Sequence, residues 1–176
     1  MEKRIQLPLT DAVIDTLCAG DIVYLTGTLY TGRDAAHRRL WETYQKNEPM
    51  PVDLSGEVLY YVGPTPARPG QAVGSAGPTS SYRMDAYTPL LLSLGLKGMI
   101  GKGTRGPEVV EAIQTYHAVY FAAVGGAAAL ISKSIVSSEV IAYEDLGPEA
   151  IRRYEVVAFP VIVVIDAKGR DLYVEG

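Results

Sequence analysis

Apolar positions along the chain switch repeatedly between a period of two and a period near 3.6, which predicts alternating strands and helices. IQLPL opens as a short strand, and Thr10 caps an apolar-periodic run, DAVIDTLCAG, closed by Gly20. DIVYLTGTLY is β-branched and aromatic and predicts a strand; RDAAHRRLWETYQKN predicts a polar amphipathic helix after it. EVLYYVG reads as another strand, followed by a Pro/Gly-rich loop, PTPARPGQAVGSAGP, of a length that tends to be functional inside compact domains. TPLLLSLG is a short helix with Pro89 at its first position, GMIG a strand, PEVVEAIQTYH a helix and AVYFAAV a buried strand. The small, apolar GGAAALISKSI is followed by VSSEVIAYEDL, a short helix over PEAIRRY, and VVAFPVIVVID with an AKGR turn. The expected fold is α/β, with several strands buried on both faces and a mixed sheet.

Composition narrows this picture without redirecting it. A chain of 176 residues that is 48% hydrophobic can bury one core, so a single domain is expected. Charged residues make up 20% and the net charge is −4, which argues against a basic nucleic-acid footprint. LLLSLGLKGMI is interrupted by Gly95, Lys97 and Gly98, so no segment reads as membrane-spanning. MEKRIQLPLTD has no apolar stretch of the secretory kind, and the expected location is the cytoplasm. Cys18, the single cysteine, excludes an internal disulfide and any metal site built from cysteines alone.

Three stretches concentrate chemistry, each with a plainer alternative. In TLYTGRDAAHRRL a strand ends at Gly32, and Arg33, Asp34 and His37 fall in or near the first helical turn. Arg33 offers a planar fork for a carboxylate or phosphate. The plainer reading makes Arg33 a surface residue, Asp34 a dipole-favouring acid and His37 a solvated face residue. In AGPTSSYRMD, Ser80 or Ser81 is a good N-cap and Asp85 a suitable first-turn acid. Thr79 and Arg83 remain unexplained by capping, Arg83 because a cation near a helix start opposes the dipole. GKGTRG, residues 101–106, matches a dinucleotide fingerprint literally. Its helix starts only at Pro107, however, and the next strand ends without an acid for a ribose. Lys102 is followed by Gly103, which also excludes a phosphate-binding Walker loop. The remaining readings are a lysine that small neighbours leave open to a ligand, or a plain tight turn. Arg33, Arg83 and Lys102 each fall near the C-terminal end of a strand, the edge where open α/β sheets bind ligands. Three cations and a hydroxyl cluster suit a small dianion.

GRDAAHRRL, VGSAGPTSSYRMD, MIGKG, AVYFAAVGGAAALISKSI and AYEDLGPEAIRRYEVVAFPVIVVID together resemble the β subunit of class I fumarate hydratases and L-tartrate dehydratases. The likeness runs from about Gly20 to Asp166, within a domain spanning 1–176. It implies a swivelling β/β/α domain and a hydro-lyase that adds water to a dicarboxylate double bond with a [4Fe-4S] cluster. A partner α subunit would hold that cluster by three cysteines, in an α2β2 heterotetramer. Residue by residue, the resemblance implies that Arg33, Arg83 and Lys102 bind substrate carboxylates. Thr79 would be the base at the carbon that exchanges a proton, with Asp34, His37 and Asp85 in support. Ser80 and Tyr82 depart from the common pattern, where a second Thr and a small residue are usual. Fumarate and (S)-malate are the expected substrates. Tartrate is the alternative within the family, and a non-catalytic anion- or nucleotide-binding module using GKGTRG, or a purely structural subunit, is the alternative outside it.

Overall fold

The computed structural model describes residues 2–64, 67–74, 76–123 and 128–175. Among these, seven strands form one mixed sheet. They are β1 (Glu2–Gln6), β2 (Ile22–Thr31), β3 (Val58–Tyr60), β4 (Gly98–Gly101), β5 (Val119–Ala123), β6 (Ile135–Ala142) and β7 (Ile151–Ile165). Strands β1 to β5 run parallel to their neighbours, and β7 runs antiparallel to β2, β5 and β6. Because β2 pairs with β7 as well as with β3, the order β2-β3-β4-β5-β7 closes on itself, leaving β1 and β6 outside the ring. The α/β class and the mixed sheet expected from the sequence are what the chain adopts.

Alternation along the strands divides the core in two. Val58, Tyr60, Ile100, Val119 and Phe121 face one cluster, which also takes in Leu25, Phe159 and Val163. Leu59, Tyr61, Met99 and Tyr120 face the other, packed against three helices: α2 (Asp34–Gln45), α3 (Thr88–Ser93) and α4 (Pro107–Tyr116). Strands buried on both faces read as nearly continuous apolar runs, which is why GMIG and AVYFAAV lack polar alternation. Helix α1 (Asp11–Asp15) opens as expected, Thr10 Oγ1 accepting the Val13 N–H at 3.2 Å, but it stops well short of Gly20. A further helix, α5 (Ala128–Ser134), fills the small apolar stretch, and α6 (Leu172–Glu175) ends the described chain. No helix among the described residues is long and apolar enough to cross a membrane.

One expected element is overturned. PEAIRRY is not a helix: a 3-10 segment covers Glu144–Glu149, and Ile151 begins the fifteen-residue β7. Gly147, with φ of 59° and ψ of −123°, together with Pro148 halts helical winding there. Tyr154 then pairs with both Leu29 of β2 and Ser138 of β6. Burial of Ile151, Tyr154 and Val156 in a two-sided ladder outweighs the local helical preference of Glu-Ala-Ile-Arg-Arg.

Phe159 is fully buried on β7 and meets the Tyr60 ring edge-on at 5.1 Å between centroids. Phe159→Ala is expected to cost about 3–5 kcal/mol of unfolding free energy, read by denaturant titration, and a loss below about 1 kcal/mol would show that this contact is not core packing.

Candidate active site

Strands β2, β3 and β4 are parallel neighbours and end on the same edge of the sheet, at Thr31, Tyr60 and Gly101. The chain that leaves β3 is brought back to this edge by hydrogen bonds. Tyr60, buried in the first core cluster, donates its hydroxyl to the Ala76 carbonyl. Thr79 N–H donates to Tyr61 O at 2.9 Å, Ser80 pairs in parallel with Lys102, and Ser81 N–H donates to Lys102 O at 2.9 Å. Thr79 to Ser81 therefore runs as a short extended piece bonded to the ends of both β3 and β4. Gly101 is required there: an added Cβ would fall on Ser81 Oγ and lie 2.8 Å from the Tyr61 ring.

Arg33 and Arg83 come together at the start of α2. Arg33 occupies the N-cap position, and Asp34 opens the helix. Asp34 Oδ2 pairs with Arg83 Nε at 3.0 Å; both side chains are roughly two-fifths exposed, at 36% and 41%. Arg33 lies over Gly63, where a Cβ would stand 2.9 Å from its Cδ, and its Nε is 4.0 Å from Glu149 Oε1. That Nε is buried without a hydrogen-bond partner, as is Asp34 Oδ1. Glu149 also takes the Ala35 N–H at 3.3 Å, so a carboxylate from the distant 3-10 segment does the capping that Arg33 cannot. Lys102 is exposed immediately beyond β4, and Thr79 is half-buried. The structure thus places Arg33, Arg83, Lys102 and Thr79 on one edge: Arg33 after β2, Thr79 and Arg83 on the segment after β3, and Lys102 after β4.

Four local expectations are corrected. The segment after Ser80 is a 3-10 turn, Ser81–Met84, and Ser80 makes no side-chain capping bond. Ser81 is buried, 2.7 Å from the Tyr120 hydroxyl. Tyr120 itself donates to Gly103 O at 2.8 Å, so the Ser81 hydroxyl must be the donor to Tyr120. Arg83 lies in the last turn of that 3-10 segment, where its charge does not oppose a dipole. Asp85 is not a first-turn acid but a buried partner of Arg105. His37 is not solvated but fully buried.

Arg105 is the residue that sequence reading missed. Its side chain is fully enclosed and its donors are met from several directions. Nε donates to Asp85 Oδ1 at 2.7 Å, and Nη2 donates to Thr88 Oγ1 at 2.9 Å and to Tyr61 OH at 3.1 Å. The Tyr120 ring centroid lies 4.7 Å from its guanidinium carbon, and Asp85 Oδ2 accepts the Gly106 N–H at 2.7 Å. Burial works against the Arg105 charge, but the Tyr61 and Asp85 oxygens and Tyr120 outweigh it and hold its pKa above the usual range. No signal in the sequence pointed to it, because Asp85 passed there as an ordinary first-turn acid.

His37 Nδ1 lies 2.8 Å from Arg33 O, and since a carbonyl only accepts, Nδ1 carries the proton. Burial pushes its pKa down to about 4, the Arg33 carbonyl only partly offsetting this, so the ring is neutral at physiological pH. It braces the N-cap backbone and meets Tyr61 edge-on at 5.3 Å. Among the described residues no group of His, Cys, Asp or Glu could hold a metal. Cys18 is exposed before β2, whereas Arg33 follows it; a ten-residue strand separates them by roughly 30 Å.

Comparison with known proteins places this edge in context. A family model described as Fumarase C-terminus matches residues 1–176. Fumarate hydratase class I, anaerobic, of Escherichia coli is 39% identical over 151 residues, covering 85% of this chain and 28% of that protein. Fumarate hydratase 2 of Leishmania major is 38% identical over 156 residues, 88% of this chain and 28% of its own length. A protein of Methanocaldococcus jannaschii provisionally named L(+)-tartrate dehydratase subunit beta is 36% identical over 173 residues, 95% of this chain and 89% of its length. The chain therefore spans little more than a quarter of the two fumarate hydratases it matches.

Burial of His37 has a consequence in acid. From pH 6.5 down to about 4 the unfolded chain protonates His37 and the folded chain does not, so stability falls as pH drops through that window. The full loss is about 3 kcal/mol. With only two histidines in the sequence, an NMR titration resolves both, and a His37 midpoint near 6.5 would contradict its burial.

Proposed function

The chain belongs to the fumarase C-terminus family, and on that footing we propose that it supplies the dicarboxylate-binding face of an iron–sulfur hydro-lyase, with fumarate and (S)-malate as substrates. The observation that carries this reading is the gathering of Arg33, Arg83 and Lys102 with Thr79 on one sheet edge. The [4Fe-4S] cluster that goes with class I enzymes finds no ligand set here: one exposed cysteine lies at the far end of β2 from the arginines. The cluster would therefore sit on a partner α subunit, and the site would form where the two chains meet, in an α2β2 assembly working in the cytoplasm.

The roles follow from the chemistry of each group. Asp34 engages Arg83 through Nε, which leaves the terminal nitrogens of that guanidinium to face a substrate carboxylate. Arg33 takes the second carboxylate, the Glu149 carboxylate near its Nε marking an anion-accepting position. In the dehydration direction a proton leaves the carbon beside one carboxylate, and negative charge builds on that carboxylate. Fixed cationic donors stabilise this charge as it develops, by about 3–4 kcal/mol each in comparable sites. Thr79 receives the proton, and the hydroxide leaves from the adjacent carbon, where the partner's cluster would supply a Lewis acid to take it. A neutral hydroxyl is a weak base, and we assign its activation to a group of the partner subunit.

A second reading is supported by one observation. The relative named for L(+)-tartrate dehydration is matched over 89% of its length, so tartrate is the alternative diacid for the same edge.

Turnover of the complex with the iron–sulfur partner, assayed without oxygen, tests these assignments. Thr79→Ala is expected to lower kcat by about 10²–10⁴-fold while substrate still binds. Arg33→Ala and Lys102→Ala are expected to lower kcat/KM by about 10²–10³-fold. A Thr79→Ala enzyme with near-normal kcat would remove Thr79 as the base, and unchanged kinetics in both cation variants would remove the carboxylate clamp.

A further inference from the structure

We propose that Arg105 is a positioning residue of this site, holding the segment that bears Thr79 and Arg83 in register with the loop that bears Lys102. The inference rests on the dicarboxylate reading above and assigns a role to a residue that faces no substrate.

Burial alone makes Arg105 unusual. Enclosing a guanidinium is unfavourable, and an apolar replacement of a buried ion pair is often as stable, so stability by itself does not account for it. What distinguishes Arg105 is where its partners lie. Asp85 directly follows the 3-10 turn that carries Arg83. Tyr61, which takes an Nη2 proton, is also the residue whose carbonyl fixes the Thr79 amide. Thr88 begins α3, and its hydroxyl binds Arg105 from the other side of that turn. Arg105 itself belongs to the loop that starts with Lys102.

Two further ties join the same pair of segments. Gly106 N–H donates to the second oxygen of Asp85, so one carboxylate holds both ends of the Arg105–Gly106 step. Above it, the Ser81 hydroxyl donates to Tyr120, which donates to Gly103 O, while the Tyr120 ring covers Arg105. The turn 81–85 and the loop 102–106 are thus cross-linked at the Asp85–Arg105 pair and at the Ser81–Tyr120–Gly103 relay. Their outer side chains, Arg83 and Lys102, remain exposed. A lysine at 105 keeps the charge but reaches only one direction at a time, so the register loosens while the pocket stays cationic.

The test uses the chain assembled with its iron–sulfur partner and two variants, Arg105→Lys and Tyr120→Phe, the second nearly isosteric in case the first folds poorly. Rates are taken per folded molecule, the folded fraction coming from circular dichroism. Misplacement of reacting groups by about an ångström lowers rate by roughly 10²-fold, so Arg105→Lys is expected to lose about that in kcat, and Tyr120→Phe about tenfold, with KM within about threefold for both. A purely structural role would lower the melting temperature and folded fraction but leave kcat per folded molecule unchanged, and that result would overturn the proposal. Amide NMR of the full chain separates this failure from failure of the functional reading. If the unsubstituted complex turns over no four-carbon diacid, the functional reading falls. Concerted shifts over Thr79–Met84 and Lys102–Thr104 in Arg105→Lys would still uphold the coupling, and shifts confined to the direct partners of Arg105 would refute it.

Discussion

Backbone pairing of one strand on both of its edges is the constraint from which the site follows. Over its fifteen residues β7 bonds β2 along one edge, and β6 and then β5 along the other. Val161 and Ile162 are paired on both sides at once, which draws β2 and β5 together and closes the ring through β3 and β4. Closure of parallel neighbours brings their C-terminal ends to one rim. Loops that would fan out from an open sheet instead meet there, positioned by a scaffold whose own residues are buried on both faces.

Charge on that rim is managed at two depths. Arg83 with Asp34, and Arg33 beside Glu149, are partly exposed, and pairs in such surroundings are weak and screened by salt. An arriving carboxylate can compete with partners of that kind. The Asp85–Arg105 pair is enclosed, and removing either member would strand a buried charge at a cost of several kcal/mol. The exposed pairs therefore suit exchange with a ligand, and the enclosed pair suits fixed geometry. His37, neutral because it is buried, braces the same rim without adding charge to it.

Much of this was legible in the sequence because local rules sufficed. The long strand of β2, the amphipathic α2, the buried GMIG and AVYFAAV strands and the Thr10 cap all follow from periodicity and side-chain type. PEAIRRY misled because its composition favours a helix while its fate is set by strands more than a hundred residues away in β2. Arg33, Arg83 and Lys102 could be placed near strand ends because each follows a strand or loop boundary. The error over Asp85 and the omission of Arg105 have one cause: their partnership spans 20 residues and exists only once α3 and β4 have packed. His37 was misplaced because burial of a polar helix face depends on Tyr61 and Tyr87, which the helix itself does not contain.

The central claim is that the rim of β2, β3 and β4 receives both ends of a four-carbon diacid. Crystallographic analysis of the assembled enzyme with a bound diacid tests it most directly. The account predicts one carboxylate on the Arg83 guanidinium and the other on Arg33, with Lys102 in contact and Thr79 Oγ1 facing the carbon between them. A diacid bound away from this rim, with Arg33 and Arg83 still engaged only by Glu149 and Asp34, would contradict it.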